Sequence, residues 1–254
     1  MNAKFPIWIA LTLVGILLIS NVAAAAMPGL AGKKKDDERS LESYVMVHYK
    51  KEKVKPDGPP GQDKPAPDDD GSYETFGRGV VWKDTFDVVI DPDNSEGLSD
   101  DFVINTIKTS FSTWDDETSA DLVGTYSTSY TASWDDDAPD GDNEILFDTY
   151  PDSRVIGVTI VWGYFGGPPP KREIIEFDIL FNSAFDWGDA TEDDTLMDFE
   201  NIAVHEIGHG LGLADLYDSG DSDETMYGYA TEGETKKRDL YYGDIAGIQS
   251  LYGV

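Results

Sequence analysis

Hydrophobic and polar positions change their pattern twice along the chain. Residues 7–19 are apolar apart from Thr12 and Gly15. Residues 27–75 are polar and lack sustained periodicity, although Val and Tyr between Ser43 and Tyr49 predict one short strand. From Val80 the pattern becomes that of a folded domain. Residues 80–90 are rich in Val, Phe and Trp and predict a strand, closed by the turn signal Asp91-Pro92-Asp93-Asn94. Ser99 suits a helix N-cap, with Asp100 and Asp101 at the positive end of the dipole. Val103, Ile107, Phe111 and Trp114 then share one helical face. Residues 121–131, 144–149, 154–162 and 172–181 predict strands; 199–212 and 244–252 predict helices. Strands around one early helix, followed by helices alone, predict an α+β fold with helices packed on a mixed sheet.

The apolar run at 7–19 follows Lys4 and precedes Ala23-Ala24-Ala25-Ala26, which together predict a secretory signal over 1–26 with Met27 first in the mature chain. The run is short for a membrane span. The alternative is an uncleaved N-terminal anchor; either way the rest of the chain is expected outside the cytoplasm, with no stable membrane association once the signal is cut. Eight basic residues crowd between Lys33 and Lys55, before a Pro-, Gly- and Asp-rich stretch. Residues 27–75 are therefore expected to be a linker or a pro-segment that covers an acidic domain at 76–254.

Charge narrows the partners. The chain carries 50 Asp and Glu against 19 Lys and Arg, a net charge of −31, which would repel nucleic acid. There is no Cys, so disulfides, thiolate nucleophiles and Cys-held metals are excluded. Any metal must sit on His, Asp, Glu or backbone oxygen. Two acidic clusters are candidates for structural calcium: Asp91, Asp93, Asn94 and Glu96, and Asp135, Asp136, Asp137, Asp140, Asp142, Asn143 and Glu144. Neither has the spacing of a twelve-residue calcium loop. The alternative is a solvated acidic surface.

Two of the three His lie in His205-Glu206-Ile207-Gly208-His209. Histidines four apart on a helix share a face and can grip one ion through their ring nitrogens. Glu206, one step round, can act on a metal-bound water without being a ligand. A catalytic zinc site wants a third protein ligand and an open position. His48 is one candidate, though distant in sequence. Asp215 is the local one, because Gly212 can take a positive φ, end the helix and turn the chain back.

The pattern H-E-x-x-H-x-x-G-x-x-D resembles the zinc signature of the metzincin peptidases, in the snapalysin-like form with Asp as third ligand. Thr225-Met226-Tyr227 resembles the Met-turn of that group, and 244–253 resembles the C-terminal helix of matrixin catalytic domains. Glu176-Phe177-Asp178 and Trp187 are weaker matches. The resemblance covers roughly 76–254.

It implies a twisted, mixed five-stranded sheet with one antiparallel edge strand, near 154–162, above an active-site helix. It implies catalytic zinc on His205, His209 and Asp215, with Glu206 as general base and Met226 as a structural floor. The expected activity is that of a secreted zinc endopeptidase hydrolysing peptide bonds in proteins or peptides, with substrate paired to the edge strand. An Asp ligand adds negative charge and should make the bound water less acidic. Matrixin zymogens block zinc with a Cys, so a blocking group here would have to be Asp, Glu or His48. The alternative is an acidic, calcium-binding surface protein with a non-proteolytic zinc site.

Overall fold

In the computed structural model of the chain, the described residues are 20–21, 39–51 and 72–254. The apolar run at 7–19, most of the signal expected at 1–26, residues 27–38 and all of 52–71 lie outside them. Ten elements carry the architecture. They are β1 (Glu42–Lys50), β2 (Phe86–Ile90), α1 (Asp100–Asp115), β3 (Val123–Thr128), β4 (Glu144–Asp148), β5 (Val155–Tyr164), β6 (Glu173–Asn182), α2 (Phe199–Gly210), β7 (Tyr229–Ala230) and α3 (Tyr242–Tyr252). The sheet runs β1-β5-β6-β4-β2-β3, with Ser20–Asn21 paired outside β1 and β7 also paired to β1. Strands β3, β2, β4 and β6 are mutually parallel, and β5 is antiparallel to β6. Five strands, β3 to β6 with β2 among them, form the mixed sheet of the α+β expectation.

The strand expected at 80–90 begins only at Phe86; before it, the Val81 carbonyl accepts from the Ile174 N–H and the Trp82 N–H donates to the Tyr252 hydroxyl. Helix α1 starts as expected: Ser99 accepts a hydrogen bond from the Phe102 N–H, and Asp100 and Asp101 occupy the first turn. Its apolar face of Val103, Ile107, Phe111 and Trp114 is buried. Trp114 reaches α2, where its indole N–H donates to the Val204 carbonyl at 2.8 Å. Burial of each such side chain contributes on the order of 1.5–3 kcal/mol.

Within residues 72–254, β5 is the antiparallel edge, as the resemblance implies. It is nevertheless covered. Strand β1 pairs antiparallel along almost its whole length, from Glu42 opposite Gly163 to Tyr49 opposite Val155. The short strand foreseen at 43–49 is thus part of the main sheet. This explains why nine of the ten residues of β5, including Ile160 and Trp162, are buried. With neighbours on both edges and helices below, β5 reads as a near-continuous apolar run.

Helix α2 is buried over nearly its whole length. Asp198 caps it by accepting from the Asn201 N–H at 2.8 Å, and Arg238 holds the cap through bonds to both Asp198 oxygens. Helix α3 closes the domain. Its Asp244 accepts from the backbone N–H groups of Thr225, Met226 and Tyr241, which fixes the bend that carries Met226.

Candidate metal centre

Helix α2 presents His205 and His209 on one face, as their spacing requires. At Gly212 the backbone takes φ +108°, and a Cβ there would stand 2.7 Å from the Val80 carbonyl oxygen. The chain turns back, and Asp215 comes to lie under both rings. Asp215 Oδ1 is 3.3 Å from His205 Nε2 and 3.5 Å from His209 Nε2. Three ligands about 2.1 Å from a tetrahedral ion would be about 3.4 Å apart. All three atoms are buried and have no hydrogen-bond partner. Orphan polar atoms are costly in a protein interior, and a cation at their centre would satisfy all three at once.

The backbone sets the tautomers for this purpose. His205 Nδ1 lies 2.7 Å from the Thr225 carbonyl oxygen, and His209 Nδ1 lies 2.9 Å from that of Leu213. A carbonyl can only accept, so each Nδ1 carries the proton and each Nε2 offers its lone pair inward. Burial alone would push the Asp215 carboxyl up. The positive charge that His209 sets against it when protonated outweighs burial and holds Asp215 well below the usual carboxylate range. His205, by contrast, is pushed down to about 4, first by burial and then by the Lys237 cation.

Glu206, one step round the helix, points towards β5, with a carboxylate oxygen, a His205 ring nitrogen and a His48 ring nitrogen all within 4.8 Å of one another. Thr159 donates its hydroxyl to Oε2 at 2.6 Å, leaving Oε1 without a hydrogen-bond partner. Gly157 makes room for the carboxylate: a Cβ there would lie 2.5 Å from Oε1. Burial raises the Glu206 carboxyl to about 7, against the opposing charge of His209 and the Thr159 bond. A carboxylate with that affinity for a proton is suited to take one up and release it near neutrality.

His48 comes to the same place from β1. Its Nδ1 is 3.3 Å from Glu206 Oε1, and its ring lies over that of His205 with centroids 3.8 Å apart. The structure therefore brings together every candidate from the sequence: His205, Glu206, His209, Asp215 and His48. It adds three that the sequence did not single out. Thr159 orients Glu206. Tyr217 donates its hydroxyl to Asp215 Oδ2 at 3.1 Å. Lys237 is fully buried with its ammonium 3.3 Å from His48 Nε2. In sequence Lys237 stands in the run Lys236-Lys237-Arg238, where charge suggests a solvated face, so no linear signal marks it.

The acidic clusters differ from each other. Asp91 and Asn94 spend their side chains on backbone groups: Asp91 accepts from the N–H of Asp93 in its own turn and from that of the distant Ala132, and Asn94 bonds Pro92 and Leu98. In the second cluster, oxygens of Asp135, Asp140 and Glu144 lie within 4.8 Å of one another. Beside them, Asp178 accepts from the Glu144 N–H, and Glu176 accepts from the N–H groups of Asp140 and Gly141. Burial pushes Asp178 up to about 9, with the charges of Glu176 and Glu144 adding to it, and burial pushes Glu176 up to about 7. Asp178 Oδ2 is buried and without a hydrogen-bond partner.

The mixed sheet, the ligand-bearing helix beneath it and the Met226 bend make the chain a metzincin-like protein in fold. The comparison with known families goes one step further. The matrixin peptidase family matches residues 82–253, and the chain belongs to that family. Among similar proteins, Metalloendoproteinase 4-MMP of Arabidopsis thaliana is 42% identical over 84 residues, which are 33% of this chain and 23% of that protein. Metalloendoproteinase 5-MMP of Arabidopsis thaliana is 48% identical over 59 residues, 23% of this chain and 15% of that protein. Stromelysin-1 of Mus musculus is 35% identical over 98 residues, 38% of this chain and 18% of that protein. These matches span less than a quarter of each relative's length.

Proposed function

We propose that the chain is a secreted, zinc-dependent endopeptidase. The carrying observation is the set of three buried, unpartnered ligand atoms on His205, His209 and Asp215 at the spacing of a tetrahedral site, with Glu206 beside them. Zinc bound there supplies Lewis acidity, polarising a carbonyl oxygen and acidifying water. Glu206 takes the proton from the attacking water and passes it to the leaving amine as the C–N bond breaks. Thr159 keeps that carboxylate aimed during both transfers. Once β1 is displaced, an extended peptide is held in its place along β5 by main-chain hydrogen bonds, which need no particular sequence. The relatives named metalloendoproteinases support the peptide-bond reading.

Residues 1–26 then act as the signal and 27–75 as a pro-segment. The second reading is supported by β1, which lies along β5 with His48 beside Glu206. Calcium belongs to the second acidic cluster, around Asp135, Asp140, Glu144 and Asp178. The support is the convergence of oxygens from Asp135, Asp140 and Glu144 within 4.8 Å, beside the buried Asp178, an all-oxygen set that suits a hard cation.

The test uses residues 27–254. Zinc per chain is quantified, and casein cleavage is followed before and after light trypsin treatment, which would cut the Lys-rich segment. The expected result is about one zinc per chain, with cleavage that rises on trypsin treatment and vanishes with a chelator or in Glu206→Gln. Zinc without cleavage in every sample would favour the non-proteolytic surface protein.

A further inference from the structure

Strand β1 shows how an extended chain is gripped at this site. Side chains 44, 46 and 48 face the body of the domain. Tyr44 packs its ring 5.0 Å from Phe76 and 4.7 Å from Phe165, while Met46 and His48 are buried. The pairing with β5 shifts register between His48 and Tyr49. Beyond that point the chain is held from two sides. Tyr49 pairs antiparallel with Val155 and parallel with Tyr229, the Lys50 N–H donates to Arg154, and the Lys51 N–H donates to Ala230. The backbone grip is independent of sequence, so selectivity must come from where the inward side chains go.

His48 packs directly against the catalytic groups. One wall is the His205 ring. On one side stands Glu206 Oε1, and on the other the Lys237 ammonium, each 3.3 Å from a ring nitrogen. Lys237 does not depend on β1 for its place. Its N–H donates to Asn201 Oδ1 of α2 at 2.7 Å, its carbonyl accepts from Thr225, and its ammonium also donates to the Tyr227 carbonyl. An ammonium has only donors, so the group facing it must accept; a carboxylate has only acceptors, so the group facing it does best to donate.

We propose that Lys237 is the specificity-determining residue of the cleft. Together with Glu206 it selects, next to the scissile bond, a neutral side chain carrying both an acceptor and a donor: an imidazole, as in His48, or a carboxamide. The inference rests on the endopeptidase reading above. An aliphatic side chain would leave a buried ammonium facing methyl groups, forfeiting a hydrogen bond to a charged group. A lysine would set two cations together in a buried site.

The experiment measures binding without turnover. The full chain is kept in chelator, and hydrogen exchange of the amides in 44–51 reports how tightly β1 is held. Residue 48 is changed to Gln, Leu and Lys, each with Lys237 intact and with Lys237→Met. His48→Gln should keep protection within about threefold of the parent. His48→Leu should lose about tenfold or more, the size expected for one charge-assisted hydrogen bond. His48→Lys should lose still more. With Lys237→Met, Leu should be held better than Gln. The amides of β6 and α1 in the same data report whether the domain stays folded; if Met at 237 loosens them, the residue-48 series alone decides. Protection equal for Leu and His, an unchanged ranking after Lys237→Met in a folded domain, or β1 amides exchanging as in free peptide would each overturn the proposal. Failure of the peptidase reading would show separately, as absence of casein cleavage with these exchange rankings intact.

Discussion

Two clusters of buried carboxylates in this chain face opposite electrostatic conditions. Around Asp215 the neighbours are imidazoles, and the carboxyl is held well below its ordinary value in spite of burial. Around Asp178 the neighbours are Glu176 and Glu144, and the carboxyl is pushed up to about 9. Burial acts the same way in both, disfavouring charge. The difference lies in what else is present. The first cluster is arranged to be anionic and carries neutral ring nitrogens beside the anion. That set of donors suits zinc, with few ligands and mixed nitrogen and oxygen. The second offers oxygen alone, in excess, and becomes comfortable only with protons or a hard cation. Two metals of different character are therefore expected on one domain, one for chemistry and one for stability.

The largest effect should come from separating metal binding from proton transfer within the first cluster. Glu206→Gln keeps the shape beside Thr159 but cannot take a proton. Peptide cleavage by the activated chain should fall by roughly 10²- to 10⁴-fold, the usual contribution of a general base, with zinc content unchanged. Asp215→Ala should do the reverse and strip the metal. Its zinc affinity should fall by more than the roughly 10- to 100-fold that loss of an outer-shell partner costs. Competition against a colorimetric zinc chelator reads the second effect, and steady-state kinetics the first. Normal affinity in Asp215→Ala would remove Asp215 from the ligand set and return His48 to candidacy.

The second cluster should respond to pH and calcium together. Asp178 and Glu176 bind protons more tightly folded than unfolded. Their contribution to stability is complete below pH about 4 and is lost as pH rises through about 7 and then about 9. Without calcium, the melting temperature should fall between pH 5 and pH 8; with millimolar calcium the fall should flatten. Asp178→Asn should raise the calcium-free melting temperature at pH 8 by a few degrees, since about 1 kcal/mol is worth roughly 2–4 °C in a domain of this size. It should also shrink the calcium response. Scanning calorimetry at the two pH values checks both, and a calcium response undiminished in Asp178→Asn would move the ion elsewhere.

How much of this was readable in the sequence depended on the distance over which each contact acts. His205, Glu206 and His209 follow from one helical turn, and Asp215 follows from Gly212, whose φ of +108° is a local property. The apolar face of α1 is legible for the same reason. The mixed sheet and its antiparallel strand near 154–162 were legible only through family resemblance, and the order β5-β6-β4-β2-β3 was not legible, because pairing partners such as Ile145 and Ile179 are far apart in sequence. Strand β1 was visible as a strand, but its Val and Tyr residues do not say which edge it will cover. Thr159 and Lys237 were invisible. Each acquires its meaning from a partner 47 residues away in one case and 189 in the other, and a threonine in a strand or a lysine in a basic run has an ordinary local explanation.

Tyr217 gives the smallest and finest test of the contrast between the clusters. Its hydroxyl donates to Asp215 Oδ2 at 3.1 Å, on the side of the carboxylate away from the histidines, and its ring is half exposed. The bond favours the ionised carboxyl and fixes the direction in which Oδ1 points. Tyr217→Phe removes that single donor and keeps the ring against Tyr229, whose centroid is 5.6 Å away. Zinc affinity should fall by about tenfold at most, the low end for an outer-shell hydrogen bond. The loss should be larger at pH 5 than at pH 8, because protons compete better with the metal once the carboxylate has lost a donor. Calcium-dependent melting should not change, since no partner of Asp178 is touched. An affinity loss equal at both pH values would assign Tyr217 to packing against Tyr229 instead of to the carboxylate.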